Sequence, residues 1–263
     1  MSQHPDLRNC RVVLVRPHYA GNLGATARVM HNFSQTELIL VDPLANPKDE
    51  EAKRLATHGE FILESARIVK SLEEAVADCV LVVATSARST SLFRATSSYN
   101  LRTLAPILLS TRRNGPVALV FGPEPCGLSN DEIERCHYLL HIPANPDYEA
   151  LNLAQAVGVC LYELHQSSLQ GEAAGKTQEP PAVHAEQERM FEHVRRGLEA
   201  IHFLYGDKAD ALMHAMRHLI GRANPTPMEV KLLHGLARQM EWIAEHLTRE
   251  HAASFPPEFD EPK

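Results

Sequence analysis

The sequence predicts an α/β fold, a parallel sheet flanked by helices, with a helical extension behind it. Three observations lead there. Short runs that are apolar at nearly every position recur through the first part of the chain, helical patterns fill the gaps between them, and after a polar stretch the periodicity becomes purely helical. Runs without polar alternation read as strands covered on both faces, the signature of a parallel sheet. Strands and helices alternating at this spacing imply right-handed crossovers.

Taken in order, the strand runs are 11–16 (RVVLVR), 37–42 (ELILVD), 79–84 (CVLVVA), 117–121 (VALVF) and 138–142 (YLLHI). Helices are expected near 22–33, 47–58, 71–78, 100–112, 129–136 and 150–165, so that residues 1–165 form one α/β domain. Residues 166–185 (QSSLQGEAAGKTQEPPAVHA) lose all periodicity and read as a linker. Residues 186–250 then spell three amphipathic helices. The first carries Met190, Val194, Leu198, Ile201 and Tyr205, and the second Leu212, Met216 and Leu219. The third opens with Thr226-Pro227-Met228-Glu229, a threonine cap with proline at the first helical position and glutamate at the third. It continues through Leu232, Leu233, Leu236, Met240, Ile243 and Leu247. These stripes read as helix–helix core. Residues 251–263 are rich in proline and acid and are expected to be disordered.

Composition narrows the function classes. The 263 residues are 44% hydrophobic and 22% charged, ordinary for a globular protein, with a formal net charge of −7. That charge disfavours a protein that coats nucleic acid by bulk electrostatics, though it leaves room for a local basic face. The first nine residues are polar, unlike a signal peptide, and no run is long enough to span a bilayer. The five cysteines show no CxxC pair and no Cys/His cluster, so no metal site is expected, and Cys10, Cys79 and Cys160 read as small buried hydrophobes. A reduced, cytoplasmic protein follows.

Ligands of parallel sheets sit at the carboxyl ends of the strands, so the loops there carry the chemistry. Three segments stand out. Gly21-Asn22-Leu23-Gly24-Ala25-Thr26-Ala27-Arg28 follows the first strand. Its spacing is not GxGxxG and no GK[ST] is present, which argues against a dinucleotide or P-loop site. A tight turn with small packing residues explains the glycines but not Arg28. Phe121-Gly122-Pro123-Glu124-Pro125-Cys126-Gly127-Leu128 follows the fourth strand and holds a carboxylate between glycines and prolines, which on composition alone is a turn with an exposed glutamate. Ile142 to Ala154 (IPANPDYEALNLA) joins a proline-punctuated loop to an apolar helix, with Asn152 placed to cap it.

Singly none of these is specific; in order they are. An N-x5-R segment, then FGxExxGL, then IPxNPxYxxLNLAxAV resembles the three signature motifs of SPOUT RNA 2′-O-ribose methyltransferases, the TrmH-like group in particular. The resemblance extends through Ala84-Thr85-Ser86-Ala87-Arg88 and, in the extension, through residues 216–223 (MRHLIGRA). It implies a domain whose C-terminal part threads a trefoil knot and which forms a homodimer. It further implies S-adenosyl-L-methionine bound bent among three loops, here Thr85, Ser86 and Ala87; Phe121 and Gly122; and Ile142, Ala150, Leu151 and Asn152. Arg28, Asn22, Glu124 and Asn152 are the implied catalytic set, and tRNA, at the start of its anticodon loop, the implied substrate. A ribosomal RNA target and a non-catalytic RNA-binding role on the same scaffold are the alternatives. Arginine is essentially never deprotonated in proteins, so Arg28 is expected to act as a charged group holding phosphate and developing alkoxide rather than as a base. Two departures stand out. Pro123 occupies a position where relatives often carry arginine, and Ala150 one where they commonly carry serine.

Overall fold

The computed structural model describes residues 7, 9–87, 98–170 and 179–250, without the side chains of 98, 207 and 247–250. Arg88 and the predicted tail 251–263 lie outside these residues. The first unit runs β1 (Cys10–Val15), α1 (Ala20–Asn32), β2 (Leu38–Val41), α2 (Glu50–Ala56), a single 3-10 turn (Thr57–Gly59), α3 (Glu60–Glu64), β3 (Arg67–Val69), α4 (Leu72–Val76), β4 (Leu81–Ser86), β5 (Ser98–Tyr99), α5 (Leu101–Thr111), β6 (Val117–Phe121), α6 (Asn130–Glu134), β7 (Tyr138–His141) and α7 (Leu153–Leu169). Then follow α8 (His184–Ala200), α9 (Ala209–Gly221) and α10 (Pro227–Glu250). The seven strands pair in the order β3-β2-β1-β6-β4-β7-β5, all parallel.

All five apolar runs form strands, and two more strands appear where no run exists. β3 and β5 are the sheet edges, two or three residues long, and β3 leaves Arg67 and Ile68 exposed. An edge strand has one neighbour and often one open face, so it needs no apolar run and gives no sequence signal. In the central strands alternate residues enter opposite cores. Val12, Leu14, Leu38, Leu40, Leu81, Val83, Leu119 and Phe121 face the layer of α1, α2, α3, α5 and α7. Val13, Val15, Ile39, Val41, Val82, Ala84, Ala118 and Val120 face α4 and α6. Helix starts follow capping chemistry: Asp49, Ser71, Asn100, Ser129 and Asn152 each accept a backbone N–H of the first turn through the side chain. Among the described residues Arg11, 5% exposed, is the one charge within the strand cores, and Glu37 at 2.6 Å and Asp78 at 2.7 Å neutralise it.

The stretch read as a linker is shorter than expected. α7 continues to Leu169, and the chain from Ala182 onward is tied to the first unit. His184 N–H donates to the Cys79 carbonyl at 2.8 Å and Ala185 N–H to the Ala77 carbonyl at 3.1 Å. Beneath this joint the Val82 N–H donates to His137 Nδ1 at 3.0 Å, which fixes the tautomer. His137 Nε2 then donates to Gln187 Oε1 at 3.1 Å, and Gln187 Nε2 to the Ala182 carbonyl. The helices form their own small core around Met190, Phe191, Val194, Leu198, Met213, Val230 and Ala237.

The apolar stripes read from the sequence are only half right. Met190, Val194 and Leu198 are buried, but α8 ends at Ala200, and Ile201 and Tyr205 lie outside it and exposed. In α9 Met213 is the buried residue while Leu212 and Leu219 are exposed, with Met216 packed at the rim. In α10 Leu233 and Met240 pack against the core, whereas Leu232, Leu236 and Ile243 face solvent. Leu247 lies among the side chains left undescribed.

Candidate active site

The carboxyl ends of β4, β6 and β7 converge on a cleft of about 400 Å³. Thr85, Ser86 and Ala87 end β4, Phe121 and Gly122 end β6, and Ile142, Ala150 and Leu151 come from the loop between β7 and α7; all eight line the cleft. The register explains the convergence, because β4 pairs with both β6 and β7 and their last residues finish side by side. Thr85 Oγ1 donates to the Val120 carbonyl at 3.0 Å, which locks its side chain onto the neighbouring strand. Gly122 is required here: a Cβ would lie 2.2 Å from the Leu128 nitrogen and 2.4 Å from the Gly127 carbonyl carbon, both backbone. Gly127 itself sits at φ 71°, in the left-handed region that favours glycine.

Three of the four expected catalytic residues are hydrogen-bonded into one chain, of which Glu124 lines the cleft; Asn22 and Asn152, the latter also an expected cofactor contact, are not in its wall. Asn22 Nδ2 donates to Glu124 Oε1 at 2.7 Å, and Asn152 Nδ2 donates to Asn22 Oδ1 at 2.8 Å. The second carboxylate oxygen, Oε2, accepts the His18 N–H at 3.0 Å. Asn152 is also the N-cap of α7, its Oδ1 accepting Ala154 N–H at 2.9 Å and Gln155 N–H at 3.4 Å. The capping expected of Asn152 is present, and the same side chain also reaches Asn22. One amide caps the helix with its oxygen and orders the chain Asn152–Asn22–Glu124 with its nitrogen. The first turn of α1, the loop after β6 and the start of α7 are fixed relative to one another by that chain.

Arg28 does not join them. It is exposed on α1 and is absent from the cleft wall. Six residues along a helix is about 9 Å of rise and some 120° of net rotation, so Asn22 and Arg28 occupy different faces of α1. Arg28 stands beside the 3-10 turn, its backbone nitrogen 3.1 Å from where a Cβ on Gly59 would lie.

The structure adds residues that sequence reading passed over. Arg16, at φ 44°, ends β1 and forms a bidentate pair with Glu132 of α6, 2.6 Å and 3.1 Å. Burial works to raise the Glu132 carboxyl, but Arg16 and the Ser129 N–H outweigh it and hold it below the usual carboxylate range. Ser129 and Glu132 form a reciprocal capping box, so this latch anchors the far end of the loop that carries Glu124. The S-x-x-E pattern at 129–132 was the available signal. Cys126, Ser129, Asn130 and Glu149 also line the cleft. The buried cysteines are inert, since burial pushes Cys10 and Cys79 up to about 12 and raises Cys136 and Cys160 too. Among the described residues no group of His, Cys, Asp and Glu could hold a metal ion, and no helix is long and apolar enough to cross a membrane.

This arrangement has relatives. Residues 9–162 match the model of the SpoU rRNA Methylase family, and residues 185–252 match that of the tRNA methyltransferase TrmJ, C-terminal domain. The tRNA (cytidine/uridine-2′-O-)-methyltransferase TrmJ of Klebsiella pneumoniae is 39% identical over 254 residues, covering 89% of this chain and 97% of its own. Its Salmonella typhimurium counterpart is 38% identical over 239 residues with the same coverage. The crystal structure of TrmJ from Zymomonas mobilis (Z. mobilis ZM4) superimposes with a TM-score of 0.73 at 30% identity, covering 88% of this chain and 98% of that one. A probable methylase family protein from Haemophilus influenzae gives 0.60 at 34% identity, covering 92% and 99%. The chain therefore belongs to the SpoU methylase family, and within it to the TrmJ branch.

Proposed function

We propose that this chain transfers the methyl group of S-adenosyl-L-methionine to a ribose 2′-hydroxyl of cytidine or uridine in tRNA, at the start of the anticodon loop. The observation that carries the reading is the Asn152–Asn22–Glu124 chain at the rim of a cleft built from the ends of three parallel strands. The residues suit the cofactor. The cleft falls in the size range of small-molecule sites, is walled largely by backbone and small side chains, and carries carboxylates but no Lys or Arg among the described residues lining it. A ligand with net positive charge fits such a wall. Bound there, the cofactor supplies an electrophilic methyl group on sulfur. The protein's part is to hold the ribose in line with it, which contributes most of the rate in a displacement of this type. Glu124, with both oxygens engaged, is a fixed acceptor rather than a mobile base.

Arg28 enters this scheme through a second copy. Val159, Tyr162 and Leu169 are exposed on one side of α7. α7 packs along α1, where Tyr162 meets Phe33 edge-on at 6.4 Å. A homodimer that buries this stripe would carry each Arg28 toward the partner's cleft, where the charged guanidinium can hold phosphate and developing alkoxide. The implied knot and a cytoplasmic location belong to the same proposal, as does a division into methyltransferase domain and RNA-binding extension. Of the extension's basic residues, Arg195, Arg196 and Arg217 are already paired with Glu199, Asp210, Glu241 and Glu188. Arg222, Lys231 and Arg238 are among the described residues left for phosphate.

Two experiments test the reading. Labelled S-adenosyl-L-methionine offered with separate tRNA and rRNA pools, followed by mass spectrometry, should place one ribose methyl in tRNA; label in rRNA alone overturns the substrate. Mixing inactive Arg28→Ala with inactive Glu124→Gln protein should regain activity, because mixed dimers hold one intact site. No regain removes the shared-site part.

A further inference from the structure

The cleft contains two carboxylates that differ in one respect. Glu124 has both oxygens engaged, one by Asn22 and one by the His18 N–H. Glu149, half-buried and also lining the cleft, accepts no hydrogen bond and forms no ion pair with any described residue. Its neighbours Tyr148 and Ala150 are exposed, so in the 147–150 stretch Glu149 is the residue withdrawn from solvent. The turn beneath it is fixed: Tyr148 N–H donates to the Asn145 carbonyl at 2.8 Å and Asp147 N–H to Asn145 Oδ1 at 3.1 Å. A carboxylate partly withdrawn from water, with no counter-charge among the described residues, loses solvation without a compensating ion pair from them. A cation delivered by a ligand would reverse that balance.

The reaction changes the ligand's charge. As the methyl carbon bonds to the ribose oxygen, its bond to sulfur breaks and that electron pair stays on sulfur; the hydroxyl proton passes to solvent. The donor, with sulfonium and ammonium against one carboxylate, carries a net positive charge. The thioether product carries none.

We propose that Glu149 is a specificity-determining residue of this cleft, whose carboxylate favours the sulfonium cofactor over the uncharged thioether product and so promotes product release. The inference rests on the cleft being the S-adenosyl-L-methionine site. Charge interactions over a few ångströms at a half-solvated site are large enough to separate two ligands that otherwise share every contact. Pocket shape can also discriminate, since a single methyl group in a close-fitting wall is worth roughly 10–200-fold, so the test must separate charge from shape.

Calorimetry on full-length wild type, Glu149→Gln and Glu149→Asp tests it with three ligands. These are S-adenosyl-L-methionine, S-adenosyl-L-homocysteine, and an unreactive analogue with an amine-bearing carbon in place of the sulfonium. Glu149→Gln is expected to weaken both cationic ligands by about tenfold while leaving the thioether within roughly twofold, the size of one partly screened ion–ion contact. Glu149→Asp should recover part of the difference, and raised salt should narrow the wild-type gap. Equal weakening of all three ligands would show that Glu149 only shapes the wall and would overturn the proposal, as would no change in any. Failure of the wild type to bind any of the three is a different result: it removes the cofactor reading itself.

Discussion

The sheet and the C-terminal helices answer the same sequence signal differently. In β1, β2, β4 and β6 nearly every apolar residue is buried, alternate side chains filling two separate cores. In α8–α10 the signal is as legible, yet Leu212, Leu219, Leu232 and Leu236 stand at the surface. A central strand of a parallel sheet has helices on both faces and partners on both edges, so its residues have nowhere else to go. An amphipathic stripe specifies only that one face is apolar. What covers it depends on how many helices are available, and here α8 and α10 make one seam with Gly197 at its tightest point, a Cβ there lying 2.9 Å from the Ala237 carbonyl oxygen. Burial in the sheet follows from topology; in the extension it follows from partner supply.

The largest effect is expected at the cleft. Gly122→Ala places a methyl group against the backbone of Gly127 and Leu128, neither of which can yield as a side-chain tip would. The loop holding Glu124 must move, and misplacement of about 1 Å is costly in a reaction that depends on alignment. Methyl transfer should fall on the order of a thousandfold, about 4 kcal/mol of transition-state stabilisation, as read by kcat/KM on tRNA. The far-ultraviolet circular dichroism spectrum should be retained. An active Gly122→Ala protein would show that the loop is more compliant than the cleft geometry demands.

Next comes the extension's own seam. Met190 is fully buried between α8 and its neighbours, so Met190→Ala should cost about 3 kcal/mol in urea unfolding. Whether the transition stays single tells whether the two regions unfold together. Gln187 and His137 tie them, and a truncation after α7 would leave His137 Nε2 and the apolar surface beneath Ala182 uncovered.

That seam should also be acid-sensitive. Burial depresses His137 from 6.5 to about 3, with His184 adding to the shift. Burial likewise lowers His184, and His218 falls to about 4 through burial and then His214. With folded-state pKa values below the unfolded value, the unfolded chain binds more protons as pH falls. Stability is therefore complete above about 6.5 and is lost on the way down to about 3, by up to ~1.4 kcal/mol per pH unit for each such histidine. In His137→Asn the slope of unfolding free energy against pH between about 6 and 4 should be shallower. An unchanged slope would place the acid sensitivity elsewhere.

How much of this was legible is a matter of distance along the chain. The central strands, the capped helices and the three loop segments could be read because each is local. The Arg16–Glu132 latch could not, its partners being 116 residues apart; the S-x-x-E pattern marks Glu132 as a cap but says nothing of Arg16. β3 and β5 lacked a run because edge strands need none. Arg28 is joined to Asn22 by the resemblance to the N-x5-R motif, while within one chain the helix rotation sets the two on different faces of α1. The His137–Gln187 joint joins a strand-entry histidine to a residue that reads as ordinary helix surface, a pairing that no periodicity encodes.

The smallest effect sharpens the comparison most. Leu236 and Ala237 are adjacent in α10, one 51% exposed and the other fully buried against Gly197. If partner supply rather than hydrophobicity decides burial here, Leu236→Ser should change stability by less than about 0.5 kcal/mol, as for an ordinary surface position. Ala237→Val, which adds volume at the closest approach of α8 and α10, should cost about 2 kcal/mol by overpacking. Urea midpoints at two protein concentrations check both. A Leu236→Ser loss of more than about 1 kcal/mol that grew with protein concentration would mean that a second copy covers this face in solution. The contrast between sheet and extension would then be one between burial within a chain and burial between chains.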